Sequence, residues 1–256
     1  MWPRLIPVLL LDRSRRLVKT VHFGERTYVG DPFNVIRIFN EKEVDEICLL
    51  DIDATADGRE PDQGFVRELA SECFMPLAYG GGITSPIMGE ALFKSGVEKL
   101  VIGTMSSNRH FISSMANSFG SQAVMASVDV YRNADRMEVR TYNGKRVISG
   151  EPLKFVKWLA MEGAGEILLN NIDSDGVRQG YDLELISRTS AAVNVPVIAL
   201  GGAGDYQHLH HGLAAGASAA ASGSTFVFYG SLRAVLINYP PRQDTLDSPL
   251  LAKERS

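Results

Sequence analysis

Glu46-Ile47-Cys48-Leu49-Leu50-Asp51-Ile52-Asp53 returns 120 residues later as Glu166-Ile167-Leu168-Leu169-Asn170-Asn171-Ile172-Asp173. The likeness continues at the same offset: Pro76, Gly81, Gly82, Gly96, Gly103 and Thr104 recur as Pro196, Gly201, Gly202, Gly216, Gly223 and Ser224. A spacing held over so long a stretch means two copies of one structural unit. In each copy an apolar run leads into a Gly-Gly turn, and a second run ends in Gly-Thr or Gly-Ser. Glycine lets backbone N–H groups approach an anion closely, and a hydroxyl adds a donor. Two equivalent anion sites imply a substrate phosphorylated at both ends, or two separate phosphates.

Outward from the repeat, short apolar runs alternate with amphipathic stretches, the pattern of βα units and a parallel sheet. Strands are predicted at Leu5–Leu11, Ile47–Ile52, Pro76–Tyr79, Lys99–Ile102, Ala123–Val128, Ile167–Asn170, Val197–Leu200 and Ala219–Ser222. Helices are predicted at Pro32–Lys42, Gly64–Cys73, Ser85–Ser95, Phe111–Ser118, Pro152–Glu162, Leu183–Ala192, Tyr206–Ala214 and Leu232–Ile237. The strands are continuously apolar, as strands buried on both faces are. Eight of them in two matching halves close most economically as an α/β fold of the (β/α)8 barrel type; an open doubly wound sheet would need a nucleotide fingerprint that is not found. Arg13–Asp31 and Val130–Glu151 are long for βα loops, and each follows the first strand of a half. The second reads as a hairpin turning at Asn143-Gly144. One domain, residues 1–240, is expected, followed by a polar, poorly ordered tail over 241–256.

The 256 residues are 45% hydrophobic and 22% charged, with a formal net charge of −4. That balance suits one enzyme domain and argues against an electrostatic nucleic-acid binder. Cys48 and Cys73 lie in or beside apolar runs and read as reduced core residues. Leu5–Leu11 is too short for a signal peptide and ends in a charged stretch, and no run approaches a membrane helix. A cytoplasmic protein is expected, with neither membrane nor nucleic acid as partner.

Barrel chemistry sits at the C-terminal ends of strands, where Asp51, Asp53, Asp129, Asp173 and Asp175 fall. The plain alternative for any one of them is a helix cap or turn residue, and for Asp53 and Asp173 the two readings balance. Asp129 follows the wholly apolar Ala123–Val128, which places its carboxylate at the mouth. Gly176 can turn amides toward an anion beside Asp175. No metal and no cofactor are expected: the aspartates lack a completing ligand set, and His208, His210 and His211 read as a solvated helix face. Neither a nucleophile elbow nor a P-loop occurs.

Taken together, several motifs resemble the cyclase subunit of imidazole glycerol phosphate synthase. They are Arg4-x-Ile6-Pro7, Leu17-Val18-Lys19, Gly30-Asp31-Pro32, Leu50-Asp51-Ile52, Gly80-Gly81-Gly82-Ile83, Phe119-Gly120-Ser121-Gln122, Gly163-Ala164-Gly165-Glu166-Ile167-Leu168-Leu169, Ile172-Asp173-x-Asp175-Gly176-x-x-x-Gly180-Tyr181-Asp182 and Gly201-Gly202-Ala203-Gly204. The resemblance covers residues 4 to 237. It implies a (β/α)8 barrel that takes ammonia from a glutaminase partner, as a heterodimer, and inserts it into a doubly phosphorylated substrate. It implies substrate or phosphate contacts at Lys19, Asp51, Gly81, Gly82, Gly103, Thr104, Asp175, Gly176, Gly202, Gly223 and Ser224. An ammonia gate of alternating charge is implied at Arg4, Glu46, Lys99 and Glu166.

Two departures bear on mechanism. The family's first strand carries a catalytic aspartate where this chain has Leu10, while Asp129 matches the second catalytic aspartate. Asp12 has the parity of position 10 one pleat further on; it either reaches inward on a continuing strand or opens a surface loop. Gly103 stands where the family has asparagine. Phe33–Asp51, Cys73-Phe74-Met75-Pro76 and Phe226–Ile237 are similar to paralogues found with surface-polysaccharide genes, which the resemblance links to sugar amidation. An authentic histidine-pathway cyclase using Asp12 or water, a non-catalytic ammonia-conducting scaffold, and the sister sugar-phosphate isomerase remain the alternatives. The gate disfavours the isomerase.

Overall fold

The chain runs β1 (Arg4–Leu11), β2 (Leu17–Thr20), β3 (Arg26–Gly30), α1 (Pro32–Glu41), β4 (Ile47–Asp51), α2 (Gln63–Ser71), β5 (Leu77–Gly80), α3 (Pro86–Lys94), β6 (Lys99–Ile102) and α4 (Phe111–Phe119). It continues through β7 (Val124–Asn133), β8 (Arg136–Thr141), β9 (Arg146–Ser149), α5 (Pro152–Met161), β10 (Glu166–Asn171), α6 (Leu183–Ser190), β11 (Val197–Leu200), α7 (Tyr206–Ala214), β12 (Ala219–Ser222), β13 (Phe228–Tyr229) and β14 (Ala234–Val235). This is a computed structural model, and it describes residues 3–133, 136–230 and 234–240. The expected tail over 241–256 lies outside them.

Strands β1, β4, β5, β6, β7, β10, β11 and β12 pair in parallel in that order, and β12 returns to β1 with Arg4 opposite Ala219 and Pro7 opposite Ser222. The ring is closed, a (β/α)8 barrel with no free edge among its eight strands. Alternation along each strand divides the apolar side chains into two cores. Leu5, Leu9 and Leu11 face the helices. Ile6 and Val8 fill the bore with Cys48, Val101 and Leu168, and Leu10 and Leu50 pack against them.

The helices start where short polar side chains can satisfy free amides. Asp31, Asp62, Ser85, Asp182 and Asp205 each accept a hydrogen bond from the amide three residues on, capping α1, α2, α3, α6 and α7. Both long loops are hairpins. β8–β9 turns through Tyr142, Asn143 and Gly144, all with positive φ, as Asn-Gly favours. Arg13–Asp31 contains β2–β3, hung antiparallel on β1 through Leu10 opposite Val18. Each half therefore adds a hairpin after its first strand.

One expected element is corrected. Of the eighth helix expected at Leu232–Ile237, Leu232 and Arg233 lie outside the described residues, and the rest is not helical: Ala234–Val235 pairs antiparallel with Phe228–Tyr229. Leu236 and Asn238 donate to the carbonyls of Val227 and Phe226, both at 2.9 Å, so a β-branched stretch backed by Pro240 takes its hydrogen bonds across rather than along the chain. The segment then reaches the barrel floor, where the Tyr239 hydroxyl lies 2.9 Å from the Leu5 carbonyl and 2.8 Å from Asp45 Oδ2 and accepts from the Asp45 amide.

Candidate functional site at the two ends of the bore

The bore has a charged end and a polar end. Arg4, Lys99 and Glu166 are the first residues of β1, β6 and β10, and Glu46 immediately precedes β4. Their parity is inward, and they meet in a ring. Arg4 donates to Glu46 at 2.5 Å and to Glu166 at 2.7 Å; Lys99 Nζ reaches the same two carboxylates at 3.1 Å each. Each cation serves both acids, so the four charges sum to zero. Above them the bore is apolar.

At the mouth, two lobes meet over Ser127, Asp129 and Asn143. One lobe gathers Lys19, Asp175, Gly176, Gly202, Gly223 and Ser224. The other gathers Asp51, Gly81, Gly82, Gly103 and Thr104. The glycine turns are built alike. Gly81 and Gly201 have φ of +119° and +87°, and a Cβ on either would come within 2.4 or 2.5 Å of a carbonyl oxygen, that of Asp51 or Asn171. Only glycine fits there.

The repeat extends to hydrogen bonds. Asp51 Oδ1 accepts from the amides of Asp53 and Ala54; Asn171 Oδ1 accepts from those of Asp173 and Ser174. Asp53 Oδ2 accepts from Arg13 N at 2.9 Å, and Asp173 Oδ2 from Arg132 N at 2.6 Å. Asp53 and Asp173 thus brace loops. Asp51 is also held by Arg59, at 3.2 Å.

Asp129 sits on β7 at the floor between the lobes and takes a 3.1 Å hydrogen bond from Asn170 Nδ2. Burial drives its carboxyl up to about 7; the Asn170 bond opposes that rise and nearby Asp175 adds to it. Burial also lifts Asp175 to about 6, against the hydrogen bond from Thr20 and the charge of Lys19. Lys19 is 6% exposed, and burial lowers it to about 7 despite the charge of Asp175. Its Nζ donates to the Val8 carbonyl at 2.5 Å and lies 3.0 Å from where a Cβ on Gly223 would be. Three groups poised near neutrality thus share one lobe, a concentration typical of functional sites.

Asp12 is placed elsewhere. Strand β1 ends at Leu11, and the Asp12 carboxylate turns into its own loop, accepting from the amides of Ser14 and Arg16 and from the Arg16 guanidinium. It lines neither lobe of the mouth. Burial raises its pKa, but the Arg16 bonds outweigh that and hold it below the usual carboxylate range. Leu10 faces the mouth instead. Beyond the residues singled out in the sequence, the site contains Asn170, Thr20, Arg26 and Ser222. Asn170 carried a signal, a polar residue at inward parity where the first copy has Leu50. Thr20 and Arg26 carried none, because their roles depend on the β2–β3 hairpin. His208, from the histidine cluster, accepts from the Gly204 amide at 3.2 Å.

The model of a family described as histidine biosynthesis protein matches residues 4–233. The chain belongs to the histidine biosynthesis protein family. Its relatives include a Pseudomonas aeruginosa protein, provisionally named imidazole glycerol phosphate synthase subunit hisF2, 48% identical over 93% of this chain and 95% of the relative. A Leptospira interrogans protein, provisionally named imidazole glycerol phosphate synthase subunit HisF, is 44% identical over 94% and 96%. The imidazole glycerol phosphate synthase subunit HisF of Frankia casuarinae is 40% identical over 90% and 92%. The chain is thus a diverged HisF-like member of the histidine biosynthesis family. No helix among the described residues is long and apolar enough to cross a membrane.

Proposed function

We propose that the chain is the ammonia-accepting barrel of a glutamine amidotransferase pair, with a class I glutaminase docked over Arg4 and Lys99. The observation that carries this reading is the closed Arg4–Glu46–Lys99–Glu166 ring at the N-terminal end of an apolar bore. An isomerase, whose substrate enters and leaves by the mouth, has no use for it. Neutral ammonia crosses an apolar bore at small cost, whereas ammonium would have to shed its hydration.

At the mouth, the twin glycine lobes bind a phosphorylated substrate and Asp129 is the acid and base. Lys19 supplies charge to the lobe of Gly176, Gly202, Gly223 and Ser224; Gly81, Gly82, Gly103 and Thr104 form the second phosphate subsite, and Asp51 fixes its loop. Asp12, tied to Arg16, is a poor substitute for a carboxylate at position 10. With Leu10 there, Asp129 lacks a carboxylate counterpart on the first strand, which favours a paralogue that amidates a surface-polysaccharide sugar over the histidine-pathway cyclase. The hisF2- and hisF3-named relatives, at 48% and 45% identity, support a diverged branch. Leu10 also suits a second reading, a barrel that conducts ammonia to a third protein.

The test is co-purification with candidate glutaminases, followed by glutamine- and ammonium-driven turnover of the histidine-pathway substrate beside a panel of nucleotide sugars. Failure to bind any glutaminase overturns the pair. Binding without turnover of any acceptor leaves the conducting barrel.

A further inference from the structure

We propose that Asn170 is the positioning residue of Asp129, its amide turning over as the carboxyl gains or loses a proton, so that one carboxyl serves as both acid and base. This rests on the acid–base reading of Asp129 given above.

Asn170 and Asp129 are register partners on β10 and β7, and Asn170 Nδ2 donates to Asp129 Oδ1 at 3.1 Å. Asn170 is 4% exposed, and its own Oδ1 has no hydrogen-bond partner among the described residues. A buried amide oxygen left unpaired is costly. Half a turn of the amide exchanges its oxygen and nitrogen, and the oxygen then accepts from a protonated Asp129. The orphaned atom is thus the acceptor for the other protonation state.

The repeat supplies an internal comparison. In the first half the equivalent residues are Leu10 and Leu50, also register partners. Both members of that pair are apolar; both members of the second are polar. Leu50 shows what a residue that merely fills this position looks like, and Asn170 is not one. The other charged groups around Asp129 are Lys19, Arg26 and Asp175 in one lobe and Asp51, Arg59 and Glu60 in the other. Arg140 lies opposite it on β8 but binds Glu138 and covers the Tyr131 ring. Since Lys19 and Asp175 titrate nearby, Asp129 must be read directly.

The experiment is an NMR titration of the whole chain, with the Asp129 carboxyl carbon and the Asn170 side-chain amide assigned by comparison with Asp129→Asn. The Asn170 amide resonances should follow the Asp129 midpoint and become pH-independent in Asp129→Asn. Asn170→Leu should move that midpoint up by about one unit, since a charge-assisted bond to the carboxylate is stronger than a neutral one. Asn170→Ser, which can donate or accept, should recover part of the shift. An unmoved midpoint in Asn170→Leu, with inorganic phosphate still bound, overturns the proposal. So do amide resonances indifferent to Asp129. Should Asn170→Leu lose phosphate binding through misfolding, the first half decides: the introduced carboxyl should titrate lower in Leu10→Asp/Leu50→Asn than in Leu10→Asp, and equal midpoints overturn it. None of these readouts needs ammonia, a partner or turnover. A coupled but inactive Asp129 would therefore sink the acid–base reading and leave the positioning intact.

Discussion

Asp53 grips Arg26 through two parallel 2.6 Å hydrogen bonds, joining the loop after β4 to the β2–β3 hairpin at the rim of the mouth. Asp53 is buried and Arg26 is partly open to solvent, which discounts the pair's strength. Asp53→Ala should cost roughly 1–2 kcal/mol, less than a fully buried charge pair, and raise hydrogen exchange over Arg26–Gly30. The hydrogen bonds from Arg26 hold the Asp53 carboxyl below its usual range, against the opposing effect of burial. A carboxylate with a depressed folded-state value adds stability that is complete above about pH 4 and lost as pH falls further. Thermal unfolding from pH 7 to pH 2 should show that loss in the wild type and less of it in Asp53→Ala.

Lys19 should control one phosphate subsite and not the other. A crystal soaked in phosphate should show density at Gly176, Gly202, Gly223 and Ser224 and at Gly81, Gly82, Gly103 and Thr104. Lys19→Met should empty the first and spare the second. Burial sets the empty-site Lys19 at about 7. A phosphate stabilises the ammonium, so binding near pH 7.5 should take up a proton and weaken as pH rises. Calorimetry in buffers of different ionisation enthalpy measures the uptake.

The ring at the floor should fail as a unit. Lys99→Ala leaves Glu46 and Glu166 facing one another with Arg4 as their sole shared cation, a loss of about 1–3 kcal/mol for largely buried pairs, visible as a lowered Tm. Glutamine-driven transfer should fall while transfer driven by added ammonium, which enters at the mouth, persists. Equal loss of both would place Lys99 in folding alone.

A second carboxyl should restore what Leu10 removed. Positioned acid or base groups contribute about 10²–10⁴ in rate. Leu10→Asp should raise ammonium-dependent cyclisation of the histidine-pathway substrate within that range, and Asp129→Asn should abolish it. Asp12→Asn should change stability more than turnover, because Asp12 organises the turn to Arg16. Family-like turnover in the wild type that collapses in Asp12→Asn would return the protein to histidine synthesis. With burial setting Asp129 at about 7, turnover that needs it ionised should rise through pH 7.

Strand parity made much of the bore legible in advance. Arg4, Ile6, Val8 and Leu10 point inward as they alternate, and the repeat carried the glycine turns to matching positions. What escaped was anything dependent on hydrogen bonds between distant segments. The β2–β3 hairpin looked like loop because Lys19 and Thr20 are polar, yet both are buried against Val8 and Asp175. Asp12 was ambiguous because parity says nothing about where a strand stops. Ala234–Val235 has an apolar run that suits helix or strand, and its partner Phe228–Tyr229 settles the matter.

Tyr239 also fixes when the molecule can be finished. Until β12 and the segment ending at Tyr239 leave the ribosome, β1 lacks its second neighbour and the Leu5 carbonyl lacks its hydroxyl. Synthesis of the second half, at ~5–20 residues per second, takes roughly 6 to 24 s. For that interval the first half presents an apolar edge strand, open to pairing with another nascent chain. Strains expressing this chain should therefore depend on translation speed through its second half: slow codons there should raise the aggregated fraction without any change in the folded protein.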